Sequence, residues 1–218
     1  MARSTRPRRA RPVRRRRGAD APTASSIRAL EKAVAALESL DARFALIGGQ
    51  AVAARTAPRF TEDVDFAVAT TGDDEAQRLV FALQQRGWIV RASLEQTETG
   101  RLATVRLSPP AEHEDVLVDL LFAACGVEPE AVGAAESLAL GYSKPLPVAS
   151  VGHLMAMKAL SESEERLQDR IDLQNLTAVA RPGDLETARR AVELIRERGY
   201  ARGKRLAAVL GRYTKGRG

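Results

Sequence analysis

Apolar residues recur at Ile27, Leu30, Val34, Leu37 and Leu40. That spacing gives one apolar face and predicts a helix from a Ser25 or Ser26 cap to about Leu40. Arg43–Ile47 is a short apolar run that predicts a strand, and Gly48-Gly49 follows it at once. Gln50–Thr56 predicts a helix, Asp63–Val68 a strand, and Asp74–Arg86 a helix stopped by Gly87. Trp88–Leu94 and Leu102–Leu107 predict a strand pair joined by the polar loop 95–101. Val116–Phe122 is nearly continuous in apolar residues, the pattern of a strand at the centre of a sheet. From about Leu146 the pattern turns helical, with helices over Ser150–Ser161, Glu164–Ala180, Asp184–Arg198 and Gly203–Leu210. Strands mixed with helices, then helices alone, predict an α+β (α/β-like) fold: a mixed sheet flanked by helices, with a helical C-terminal part.

Composition changes this picture at one end only. The 218 residues are 44% hydrophobic and 28% charged, enough to bury a sizeable core. The formal net charge is +6, which alone suggests a polyanionic partner. Residues 1–19, however, hold nine arginines and no acid, so the other 25 basic residues face 28 acids and the remainder carries about −3. Residues 1–22 therefore read as a disordered basic arm, 23–145 as the core domain and 146–218 as a helical region. No apolar segment follows the arginines, so the arm is not a secretory signal. It is a nucleic-acid-contacting arm, an address tag or a solvated extension. A single cysteine, Cys125, excludes an internal disulfide and points to a reducing, cytoplasmic setting. Uncharged runs such as Phe44–Ala54 fall far short of the roughly 20 apolar residues that cross a bilayer.

The segment from Gly48 to Phe66 reads GGQAVAARTAPRFTEDVDF. Alternation along a strand puts Asp63 and Asp65 on one face, with Val64, Phe66 and Val68 on the other. Two adjacent carboxylates repel unless a cation lies between them, and Mg²⁺ takes one or two carboxylates and fills its octahedron with water and phosphate oxygens. Asp119 is a third acid, inside the apolar run VLVDLLF. Burying it costs several kcal/mol unless it is paired or metal-bound. A neighbouring strand would bring it into the same cluster. Gly48-Gly49 at a strand-to-helix turn permits close backbone approach to a phosphate, beside the free N–H groups of a helix start. The bland alternatives are two acids on a wet face and a ligand-free turn.

Together these residues resemble the nucleotidyltransferase superfamily, whose signature is a Gly-Gly or Gly-Ser turn, a helix, DxD on a strand and a third acid on a later strand. The matching positions are Gly48, Gly49, Asp63, Asp65 and Asp119. RFTEDVDF is similar to the R-x-[ST]-x-D-[LIV]-D-F form of the AbiEii-type toxin branch, with Arg59 and Thr61 at the arginine and hydroxyl positions. A second motif of that branch, K-x(6–7)-R-x-K-D-x-x-D-L, is matched by Lys158, Arg166, Asp169, Asp172 and Leu173, with Gln168 where the branch has lysine. The resemblance covers about residues 25–180.

The resemblance implies transfer of a nucleotidyl group from an NTP to a hydroxyl, releasing pyrophosphate. Asp63, Asp65 and Asp119 would hold Mg²⁺, and Asp119 would accept the hydroxyl proton. Gly48, Gly49 and Thr61 would position phosphates, with Lys158 and Arg59 adding positive charge and Asp169 or Asp172 orienting the lysine. The acceptor it implies is tRNA or another RNA end, and the partner a cognate antitoxin. An aminoglycoside-like alcohol as acceptor, or a non-catalytic binding module, are the competing readings.

The residues of the second motif carry their own pattern. Val151, Leu154, Met155 and Lys158 share one helix face, as do Asp169, Asp172, Leu176 and Val179. A lysine and two acids on inward faces predict a buried ion pair, a phosphate site, or both. His113 and His153 are isolated, so no zinc spacing occurs. Cys125 reads as a small core residue. The aromatic residues are too scattered for a base-stacking platform.

Overall fold

The computed structural model describes residues 24–59, 61, 63–110, 116–140 and 144–216. The basic arm and His113 lie outside them. Ala29, Leu30, Ala33, Val34 and Leu37 bury the apolar face of α1 (Ala24–Glu38). The chain then enters β1 (Arg43–Ile47), α2 (Gly48–Arg55), β2 (Val64–Ala69), α3 (Asp73–Gln85), β3 (Ile89–Glu95), β4 (Leu102–Ser108) and β5 (Val118–Leu121). Next come α4 (Glu128–Gly133), β6 (Glu136–Leu138) and β7 (Leu146–Val148). The helices α5 (Val151–Ser161), α6 (Leu167–Val179), α7 (Pro182–Glu197) and α8 (Leu206–Thr214) follow. The fold is α+β.

Among the described residues, seven strands form one sheet in the order β3-β4-β5-β2-β1-β7-β6. β2 runs parallel to β5, and β1 parallel to β7; the other neighbours are antiparallel. Apolar positions of the central strands fill the core, where Phe44 and Phe66 meet edge to face with ring centroids 5.4 Å apart. No helix among the described residues is long and apolar enough to cross a membrane.

Three elements were not legible from the pattern. α4 is six residues long and starts beside a proline; buried Glu128 opens it by accepting the Ala124 and Cys125 N–H groups, both at 2.7 Å. β6 and β7 are three residues each, too short to show a period. They extend the sheet beyond β1, so the region after residue 145 begins with a strand rather than a helix. Arg55, at the end of α2, is tied to that strand: Nη2 donates to the Val148 carbonyl at 2.9 Å and Nε to the Ala149 carbonyl at 3.1 Å. It serves the sheet edge and does not line the cleft described below. Ser150 caps α5, accepting the His153 N–H.

Candidate active site

A cleft of about 780 Å³ opens between the centre of the sheet and the helices α5 and α6. Gly48, Gly49, Arg59, Thr61, Asp63, Asp65, Asp119, Lys158 and Asp169 all line it, so residues spread over 120 positions converge there. Asp172 sits one layer deeper, fully buried.

Strand register builds the sheet wall. Asp65 on β2 lies opposite Asp119 on β5, and Asp119 lies opposite Arg106 on β4. Across β1, Asp65 faces Ile47, the residue before the glycine turn. Gly48 has φ +65°, a left-handed conformation that suits glycine, and a Cβ there would stand 1.9 Å from Asp65 Oδ2. A Cβ on Gly49 would stand 2.6 Å from Thr61 Oγ1 and 2.9 Å from Arg59 Nη2. The turn lacks side chains because Asp65, Thr61 and Arg59 occupy the space. Asp63 comes just before β2 and is exposed.

Charge is distributed unevenly along this wall. Asp119 receives two bonds from Arg106: Nε to Oδ1 at 2.7 Å and Nη2 to Oδ2 at 2.6 Å. No ion pair joins Asp63 or Asp65 to a described cation. Burial pushes the Asp65 carboxyl up to about 6, with the charges of Asp119 and Asp63 adding to the rise and Lys158 and Arg106 opposing it. Among the described residues, no three His, Cys, Asp or Glu side chains form a metal-holding group. Asp63 and Asp65 nevertheless fit a divalent cation, because their oxygens are hard donors and the positive charges of Lys158 and Arg106 do not offset the burial of Asp65.

The helical wall is compensated. Lys158 Nζ lies 2.7 Å from Asp169 Oδ1 and 2.8 Å from Asp172 Oδ2. Arg59 Nη2 adds a contact to Asp172 Oδ2 at 2.8 Å, and Arg166 Nε reaches Asp169 Oδ2 at 2.6 Å. Gln168 donates to Asp172 Oδ1 at 2.9 Å. The inward faces read from the helical spacing hold for Asp169, Asp172 and Leu176, all buried, while Val179 at the end of α6 is exposed. Cys125 is buried, and its thiol is pushed well up by burial and by Glu128, so it stays a thiol, yet it lines the cleft.

Sequence reasoning missed Arg106. The alternation in β4 does mark Arg106: Val105 and Leu107 are buried, so Thr104 and Arg106 fall on the opposite face. Arg202 has φ +51° and donates to the Ala124 carbonyl at 2.8 Å from the cleft wall.

A family model described as nucleotidyl transferase AbiEii toxin, Type IV TA system, matches residues 28–215. No curated protein matches the sequence. The fold is similar to the solution structure of the antibiotic-resistance factor ANT(2'')-Ia, at 18% identity and TM-score 0.50, over 81% of this chain and 94% of that one. It is also similar to a crystal structure of ANT(2'')-Ia in complex with adenylyl-2''-tobramycin, at 17% identity and TM-score 0.50, over 80% and 99%. The lincosamide antibiotic adenylyltransferase LnuA in its lincomycin-bound crystal structure matches at 15% identity and TM-score 0.47, over 74% and 99%.

Proposed function

Because the chain belongs to the AbiEii family of nucleotidyl transferase toxins, we propose that it moves a nucleoside monophosphate from an NTP to a hydroxyl at an RNA end, with Mg²⁺. The observation that carries this reading is the row Gly48–Asp65–Asp119 at the cleft wall, facing Lys158 across the opening.

Asp63 and Asp65 would hold the Mg²⁺, which when bound supplies Lewis acidity at the phosphates. The chain's own residues do the rest. Gly48 and Gly49 let Asp65, Thr61 and Arg59 pack against the turn, where the N–H groups that open α2 would meet phosphate oxygens, and Thr61 offers a hydroxyl beside them. Lys158 and Arg59 bring positive charge on a rigid mount, since Asp169 and Asp172 fix both of them. Asp119 accepts the proton of the attacking hydroxyl as its oxygen bonds to the α-phosphorus and the bond to pyrophosphate breaks. An RNA acceptor agrees with the toxin family and with the arginines Arg106, Arg166 and Arg202 around the cleft, which suit a polyanion and repel a polycation. An antitoxin is the corresponding protein partner.

The test is transfer of labelled NTPs, with Mg²⁺, onto total RNA and onto a panel of small alcohols, comparing wild type with Asp65→Ala. Label on RNA from wild type alone supports the reading. Label on the alcohols instead replaces the acceptor. Wild type that binds no NTP with Mg²⁺ by calorimetry rules out the enzyme mechanism described here.

A further inference from the structure

Arg106 belongs to neither sequence motif, yet it makes the two-point contact with Asp119. A guanidinium edge laid along both carboxylate oxygens fixes the rotation of the carboxylate as well as its charge, which a point charge does not do. β4-β5-β2 register places Arg106, Asp119 and Asp65 in one row across three strands. Neighbouring strands are about 4.8 Å apart, so the two acids repel across the gap. Asp119 therefore needs a hold from the far side, and Arg106 supplies it.

Stability is a poor account of this pair. The Arg106 side chain is 40% exposed and lines the cleft, whereas Asp119 is 11% exposed. An ion pair whose arginine is this exposed typically returns little net stability, while withdrawing the carboxylate from water carries a larger cost. A carboxylate has about four lone-pair sites and the arginine uses two of them, which leaves the others open to the cleft's contents.

We propose that Arg106 is a positioning residue of the transfer reaction: it locks Asp119 at two points so that the carboxylate meets the attacking hydroxyl in one orientation. The inference rests on the nucleotidyl-transfer reading. In the step concerned, the hydroxyl proton passes to Asp119, the hydroxyl oxygen bonds to the α-phosphorus, and pyrophosphate leaves with the electrons of the broken P–O bond. Arg106 forms and breaks no bond in it.

The experiment measures kcat and KM for the NTP on the acceptor that wild type labels. The variants are Arg106→Gln, Arg106→Lys, Asp119→Asn and the double variant Arg106→Gln/Asp119→Asn, with NTP–Mg²⁺ calorimetry as the check on a folded site. Misplacement of about 1 Å costs on the order of 10²-fold, so Arg106→Gln should lower kcat by roughly 30- to 100-fold with KM within about threefold. Arg106→Lys keeps the charge but loses the two-point hold, and should recover only part of the loss. In the Asp119→Asn background, Arg106→Gln should change kcat less than about twofold, because its effect passes through Asp119. Full recovery by lysine, an undiminished loss in the Asp119→Asn background, an unchanged kcat, or a raised KM at constant kcat each overturns the inference and leaves nucleotidyl transfer standing. Absence of transfer by wild type removes both together. If Arg106→Gln binds no NTP, the lysine variant decides: a kcat equal to wild type overturns the proposal and a partial loss supports it.

Discussion

The two walls of the cleft handle acidic residues in opposite ways. On the helical wall, Asp169 and Asp172 are buried and answered by Lys158, Arg59 and Arg166. On the sheet wall, Asp119 has Arg106, but Asp63 and Asp65 form no ion pair with a described cation. Buried charge is costly, so the compensated cluster holds itself together, whereas Asp65, withdrawn from water beside Asp63 and Asp119 without an ion pair, keeps that cost until a cation arrives. One wall is a mount for positive side chains; the other is a receptor for positive charge.

Asp65→Asn tests the second half of that contrast and has the largest expected effect. Transfer should fall at least about 10³-fold, since the cation loses a ligand. Stability should move the other way. The folded-state value of Asp65, about 6, lies above its ordinary 3.8, so the folded protein binds this proton more tightly than the unfolded chain does. Stability from this group is therefore full below about pH 4 and is lost as pH rises to about 6, by on the order of 2–3 kcal/mol. Asp65→Asn removes that loss, and thermal melts at pH 7 without divalent cations should show a raised Tm. Wild type should lose activity as pH falls below about 6, and excess Mg²⁺ should move that midpoint down. A lower Tm for Asp65→Asn at pH 7 would mean that a partner compensates Asp65 and that the contrast is false.

Asp172→Ala tests the first half. Removing the fully buried acid leaves Lys158 and Arg59 crowded together without their shared counter-charge, and breaking such a network typically costs about 3–5 kcal/mol. Urea denaturation should show that loss at pH 7, the opposite sign to Asp65→Asn. Gly48→Ala has a smaller effect. It places a Cβ on the Asp65 carboxylate and strains a residue at φ +65°, so Asp65 must move. Transfer should drop on the order of 10²-fold with stability down by about 1–2 kcal/mol, and a variant with full activity would detach the turn from the site.

The two walls also differed in how legible they were. Asp65 and the glycine turn stood out because a strand of known period and an adjoining Gly-Gly carry local signals. The inward faces of Lys158, Asp169 and Asp172 were legible for the same reason, from helical spacing. What the pattern left open was which charges meet. Arg106 pairs with Asp119 only because β4 runs antiparallel to β5 in one particular register, and a single strand's alternation cannot choose a register. Arg59 reaches Asp172 across 113 positions, a contact set by the packing of α2 against α6. The short β6 and β7 escaped because three residues carry no period. Local order was written in the sequence; pairing was decided by topology.

Gln168→Lys is the subtlest probe, because it changes the compensated wall without breaking it. The toxin branch that this chain resembles has lysine at this position, whereas Gln168 here donates to Asp172 Oδ1 at 2.9 Å. The cluster already counts three cations against two acids, and Asp169 Oδ2 has no hydrogen-bond donor although Arg166 lies near it. A fourth cation finds an oxygen to approach but raises the surplus of positive charge. Folding stability should fall by about 1 kcal/mol or less, from repulsion among neighbours that remain partly paired. A triphosphate at the cleft should feel the surplus, so the Kd for NTP should fall about two- to fivefold at low salt, a gain that shrinks at 0.5 M salt as screening grows. A tighter Kd that ignores salt would point to a shape effect at the helix start. A weaker Kd would mean that the helical wall does not face phosphate, and the division of the cleft into mount and receptor would have to be redrawn.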